Sequence, residues 1–183
     1  MGPTVETLTL GLILYVILPL WVISGSLDYW CHRTTKIEDN SGLKESLIHA
    51  LMGFLVGVPL WLGIFFEINV LVLLLCFTFF VLHELVAHQD VVWAGPRRRI
   101  TVWEQHVHAY LLTIPFYLMT LIICRNWGAF TRTITFEWTG DLYLRMRPEP
   151  VGTMSYVWWY AVLMLFTAIL PYTEEVWRAG ERG

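Results

Sequence analysis

The run Ile68-Asn69-Val70-Leu71-Val72-Leu73-Leu74-Leu75-Cys76-Phe77-Thr78-Phe79-Phe80-Val81-Leu82-His83-Glu84-Leu85-Val86-Ala87-His88-Gln89-Asp90-Val91-Val92 opens as an almost unbroken apolar segment and closes on four ionisable side chains. At about 1.5 Å per residue it is long enough, as an α-helix, to cross a hydrocarbon core of about 30 Å. It contains no Lys or Arg. Ionisable groups are costly in hydrocarbon, so their crowding at one end places that end near a membrane surface and marks it for chemistry.

Working outward, four further apolar runs reach or approach spanning length: Leu8 to Leu27, Leu47 to Phe66, Val107 to Cys124 and Tyr156 to Leu170. The chain is 56% hydrophobic and 15% charged, too apolar for a soluble domain of 183 residues. We read it as one all-α membrane domain over residues 1–183, a bundle of four to five transmembrane helices. Pro19, Pro59 and Pro115 fall within three of these helices, where a missing N–H is expected to kink or loosen the turn. The net charge of −3 leaves no basis for nucleic-acid binding. Cys31, Cys76 and Cys124 are too widely spaced for a disulfide framework.

The basic residues set an expected orientation. Arg33, Lys36 and Lys44 lie between the first two runs, Arg97, Arg98 and Arg99 between the third and fourth, and Arg178 and Arg182 near the end. Short basic loops stay cytoplasmic, which puts the N-terminus outside and the C-terminus inside. One segment, Arg125 to Gly152, does not read as a spanning helix. Two β-prone runs, Thr133 to Trp138 and Asp141 to Met146, flank Thr139-Gly140, and we expect a small extramembrane β-hairpin over about 133–146.

The histidines carry the functional signal. Four of the six follow a carboxylate by four residues: Asp28 and His32, Glu45 and His49, Glu84 and His88, Glu104 and His108. With 15 acids in 183 residues, roughly half a pair is expected by chance. Residues i and i+4 share a helix face, so each pair can offer an oxygen and an imidazole nitrogen to one ion. In an alternating bundle all four pairs fall at the same end, the cytoplasmic one in the orientation above. Eight donors exceed the needs of one ion and suit two.

His83 and Asp90, seven residues apart, share a neighbouring face of the same helix and join the candidate ligands. Thr101 and Glu104 also form a capping box, which by itself accounts for an acid at that position. His106 points away from Glu104 and His108 and ranks with Cys31 as a weaker, supporting candidate. Arg33 and Arg97 are candidate contacts for a polar substrate group. The fifth run offers no histidine or carboxylate.

Histidines and carboxylates gathered at one end of a small helical membrane protein resemble the membrane-bound di-iron hydroxylase and desaturase class, over roughly Asp28 to His108. The His83 to His88 spacing matches that class's HxxxxH box, and no adjacent His-His pair occurs. The resemblance implies two metal ions, iron first with manganese and zinc as alternatives. It also implies oxidation of a lipid or other hydrophobic substrate, with electrons from a separate donor protein. Two other readings start from the same residues: a zinc-dependent lipid hydrolase of the ceramidase kind, and a metal carrier or sensor, which five spans would support best as a homo-oligomer.

Overall fold

The computed structural model describes residues 2–182. Among the described residues, five helices are long and apolar enough to cross a membrane. We number all helices in chain order: α1 (Val5–Thr35), α2 (Ile37–Asn40), α3 (Gly42–Phe65), α4 (Val70–Ala94), α5 (Val102–Arg125), α6 (Trp127–Ile134) and α7 (Met154–Gly180). The five long ones are α1, α3, α4, α5 and α7. The bundle is apolar outward as well as inward: Val16, Ile23, Phe54, Phe77, Phe116 and Phe166 are all exposed, as side chains facing lipid should be.

α3 packs along α4, α1 along α5, and the second half of α7 lies against α3. At the end away from the polar cluster, Leu14, Leu18 and Trp21 of α1 interlock with Val56, Ile114 and Tyr160 of α3, α5 and α7.

Two long helices widen into a π turn, at Ile13–Ile17 in α1 and Leu165–Ile169 in α7. Each is followed by Leu-Pro, Leu18-Pro19 and Leu170-Pro171. Proline has no N–H to give and its ring presses on the carbonyl four residues back, so a wider turn lets the helix continue. The Leu14 carbonyl of α1 accepts from the Tyr156 hydroxyl of α7 at 2.6 Å, and the Ser26 hydroxyl, which donates to the Val22 carbonyl at 3.0 Å, lies 3.4 Å from the Thr167 carbonyl. α3 and α5 continue as α-helix through Pro59 and Pro115.

The hairpin expected over about 133–146 does not form, and no strand occurs among the described residues. Thr133 and Ile134 instead finish α6, and Phe136 turns the chain at a positive φ of 59°. Gly140, at φ 78°, takes a second left-handed step that favours glycine. The following segment is extended, but its backbone partner is the α3–α4 link. Glu67 N–H donates to the Arg145 carbonyl at 3.0 Å, Arg147 N–H to Phe65 at 2.8 Å and Val151 N–H to Ile64 at 2.9 Å. The Asp141 carboxylate accepts from the Val70 N–H at 3.2 Å and from Arg132 at 3.0 Å. The start of α4 and the polar end of α6 thus claim the residue that would have closed the hairpin.

The fifth spanning helix also differs from expectation. It runs on past Leu170 to Gly180, because Pro171 sits where a first-turn proline costs nothing once the π turn has been made. Glu174 and Glu175 are therefore helical residues.

Candidate metal centre

Five helix ends meet at one end of the bundle. α1 brings Asp28 and His32 in its last two turns, before Lys36 turns left-handed at φ 51° and stops the helix. α3 brings Glu45 and His49 in its first two turns, α4 brings Asp90 near its end, α5 brings Glu104 and His108 near its start, and α7 brings Tyr172 and Glu175. Asp28, His32, Glu45, His49, Asp90, Glu104 and Glu175 are buried and His108 is partly so.

Glu175 organises the centre. Its Oε2 lies 2.9 Å from Nδ1 of His32 and its Oε1 3.1 Å from Nδ1 of His49. An ionised carboxylate only accepts, so each ring carries its proton on Nδ1, and a neutral ring then presents a bare lone pair at Nε2. One carboxylate fixes the tautomer and orientation of both imidazoles, as outer carboxylates do for metal-bound histidines. The two rings stack, centroids 4.3 Å apart and 10° from parallel.

The Nε2 atoms face outward from this clamp into two groups of oxygens. His32 Nε2 lies 3.5 Å from Asp28 and 3.7 Å from Glu104, while His108 Nε2 lies 2.9 Å from the other oxygen of Asp28. His49 Nε2 lies 3.2 Å from Asp90 and 3.9 Å from Glu45. Donor atoms of Asp28, His32 and His108 converge within 4.8 Å of one another, and so do those of Glu45, His49 and Asp90. Proximity here is not hydrogen bonding. His32 Nε2, His49 Nε2, Asp28 Oδ1 and Asp90 Oδ1 are all buried without a hydrogen-bond partner among the described residues. Such groups are rare in folded proteins and mark these four atoms as candidate ligands. The third convergent group, His32, His49 and Glu175, is the clamp itself, with its lone pairs already used.

Arg98, from the α4–α5 loop, enters the cluster. Its Nη2 lies 2.5 Å from Glu45 Oε1 and 2.5 Å from Glu104 Oε1, and its Nε donates to Glu45 at 3.0 Å. Burial alone would lower the Arg98 pKa, but the two carboxylates outweigh it and hold it above its ordinary value, so the guanidinium stays charged. Glu104 is further tied by the capping box: its backbone N–H donates to Thr101 at 3.2 Å, and its Oε2 accepts from the Thr101 N–H at 3.4 Å. The Tyr172 hydroxyl lies 3.0 Å from the Gly25 carbonyl and 3.2 Å from Asp28 Oδ2.

An outer layer of ion pairs positions the end of α7. Glu174 accepts from Arg33 and Tyr29 of α1, both at 2.8 Å, and Arg178 pairs with Glu38 of α2. Above the centre, Trp93 is held between two cations, with Lys44 3.7 Å and Arg97 3.3 Å from its ring centroid.

Other residues singled out by spacing lie elsewhere. Glu84 is half-buried and pairs with His83 at 3.3 Å, while His88 and His106 are exposed. On α4 the inward stripe is His83, Ala87 and Asp90, so the neighbouring Glu84 and His88 are turned away. Cys31 is buried but is not among the convergent donors. Arg33 and Arg97 are exposed and engage Glu174 and Trp93. Spacing alone missed Glu175, Tyr172 and Arg98. The signal for the first two was present in Tyr172, Glu175, Val176 and Ala179, a helical stripe running beyond Pro171. Nothing in the local sequence separates Arg98 from Arg97 and Arg99.

From the cluster a cavity of about 850 Å³ descends into the bundle. Asp28, His49, Asp90 and His108 form its polar end, His83 and Gly25 lie on its wall, and the rest is almost entirely apolar, down to Trp61 and Ala161.

Comparison with known proteins leaves the chain on its own geometry: no protein-family model, no curated sequence and no solved structure matches it.

Proposed function

We propose that the cluster is a dinuclear metal centre and that the protein is a membrane oxidoreductase, hydroxylating or desaturating a hydrophobic substrate. One ion is held by Asp28, His32 and His108, the other by Glu45, His49 and Asp90. The observation that carries this reading is the pair of orphaned Nε2 atoms, each aimed at carboxylate oxygens while Glu175 fixes the opposite nitrogen.

Charge supports the count. Five buried carboxylates (Asp28, Glu45, Asp90, Glu104, Glu175) face one buried guanidinium, leaving about four negative charges when the imidazoles are neutral. Two divalent ions would match that excess. Nitrogen and oxygen donors without thiolate suit iron or manganese, and also accommodate zinc.

Bound there, a redox-active pair supplies dioxygen activation with electrons from a separate donor protein. Hydroxylation consumes dioxygen, two electrons and two protons, converting R–H to R–OH and one water; desaturation removes two hydrogens and yields two waters. The chain's own residues do the rest. Glu175 holds both imidazoles in one tautomer, Arg98 bridges Glu45 and Glu104 and offsets one of their two charges, and the apolar wall below Asp28 and His49 excludes water and orients the substrate. Tyr172 is placed to donate a hydrogen bond to Asp28. In this reading the centre lies on the cytoplasmic side and the N-terminus outside, as the basic loops direct.

The test is elemental analysis of the purified protein from iron-, manganese- and zinc-replete cells, followed by oxygen uptake with lipid extracts and a reductant. Two iron or manganese ions per chain and substrate-dependent uptake are expected. A single zinc with oxygen-independent turnover would transfer the site to hydrolysis, and reversible binding without turnover to a carrier or sensor.

A further inference from the structure

The cavity and the cluster together say how a substrate is presented. We propose that the site takes a single-chain amphiphile, polar end toward Asp28, His49, Asp90 and His108 and hydrocarbon tail toward Trp61, which sets the chain length. This rests on the metal-centre reading only for the chemistry at the polar end; the binding geometry stands by itself.

Three observations carry it. First, the cavity has one polar end and one apolar floor. Its polar end is at the helix termini, where an amphiphile in the adjoining leaflet carries its head; the reverse orientation would put the head in the middle of the hydrocarbon. The carbons brought to the cluster are therefore those next to the head, not those in the middle or at the end of the chain.

Second, the dimensions fit one chain. From His49 to Trp61 along α3 is twelve residues, about 18 Å of rise, slightly more than half of a hydrocarbon core of about 30 Å. At about 30 Å³ per non-hydrogen atom, the share of a water in the liquid, about 850 Å³ holds roughly 28 atoms. That accommodates one long chain with its head and is too small to enclose both chains of a phospholipid. Exposed residues of the lining, Leu47 and Phe54 on α3 with Leu165 and Ile169 on α7, place an entrance from lipid between these two helices.

Third, the wall is cut to leave this space open. Gly53 and Gly57 follow His49 at four-residue steps along α3, and a Cβ added at either would meet nothing within 4 Å. The floor is rigid, since Trp61 packs between Phe65 at 5.8 Å and the fully buried Tyr160 at 6.3 Å.

The experiment measures binding of a homologous series of straight-chain saturated primary alcohols, whose heads are uncharged, to the full-length, metal-replete protein in lipid nanodiscs, by displacement of a fluorescent long-chain alcohol. The wild-type protein should show an affinity optimum at one chain length. Gly57→Phe places a ring about 12 Å below His49, and the optimum should move to chains about one third shorter. Trp61→Ala should move it to longer chains. Metal content, counted separately, should stay unchanged in both variants. An unaltered optimum in both correctly assembled variants overturns the proposal, as does failure of every chain length to displace the probe. Loss of metal with a retained length preference would instead remove the oxidoreductase reading and leave this one standing.

Discussion

Replacing Glu175 with Gln changes one oxygen to nitrogen and should remove one metal ion, not two. In the native centre both carboxylate oxygens accept a proton-bearing Nδ1, from His32 at 2.9 Å and from His49 at 3.1 Å. A glutamine keeps one acceptor, so one ring is unaffected. Its amide N–H faces the other ring and requires a lone pair at that Nδ1, which moves the ring's proton to Nε2 and closes it to metal. Loss of such an outer partner alone costs about 10- to 100-fold in affinity, or about 1.4–2.8 kcal/mol, and a blocked Nε2 lies at or beyond the upper end. The assay is to load the variant with metal, pass it over a chelating resin and count ions per chain, with size-exclusion chromatography confirming assembly. The expected count falls from two to one, whereas Glu175→Ala frees both rings and weakens both ions. Two tightly held ions in Glu175→Gln would refute the assignment of Glu175 as the clamp.

Arg98→Ala leaves Glu45 and Glu104 buried beside each other without their cation, which should cost about 3–5 kcal/mol of stability; thermal unfolding in detergent should show the loss, largest in the presence of a chelator. Asp90→Ala should reduce the metal count, while His88→Ala, on an exposed side chain of the same helix, should leave it at the wild-type value by elemental analysis. Thr101→Ala breaks the capping box and should destabilise the start of α5 by about 1 kcal/mol, seen as a lowered unfolding midpoint.

The bundle was legible because its signal is long and additive: some twenty apolar residues in a row admit few other readings. Three of the four acid-histidine pairs meet in the centre for a similar reason, since i,i+4 spacing fixes a shared face without reference to the rest of the fold. On α4 helical spacing offered two neighbouring faces, Glu84 with His88 at i,i+4 and His83 with Asp90 at i,i+7. Only packing against α3 and α5 turns Asp90 inward, and the spacing holds no information about that rotation. The hairpin failed because β-propensity reports a fit to an extended surface but not which surface. The second run, Asp141 to Met146, is extended, yet its partner is the α3–α4 link far away in sequence. Glu175 was missed because the fifth run was taken only as far as its apolar residues reach, to Leu170, whereas the π turn makes Pro171 compatible with continuation of the helix.

Trp93, gripped by Lys44 and Arg97, has a consequence for where the centre sits relative to water. Tryptophan and basic side chains settle at the headgroup level, and these three join the start of α3 to the end of α4 at that level. Glu45 follows Lys44 directly and Asp90 precedes Trp93 by three residues, about 5 Å of rise. The centre therefore hangs at a fixed shallow depth beneath its own surface marker. A soluble protein resting on the headgroups could approach it to within about one helical turn, and under the function proposed above an electron or a metal ion would then reach it without crossing the bilayer.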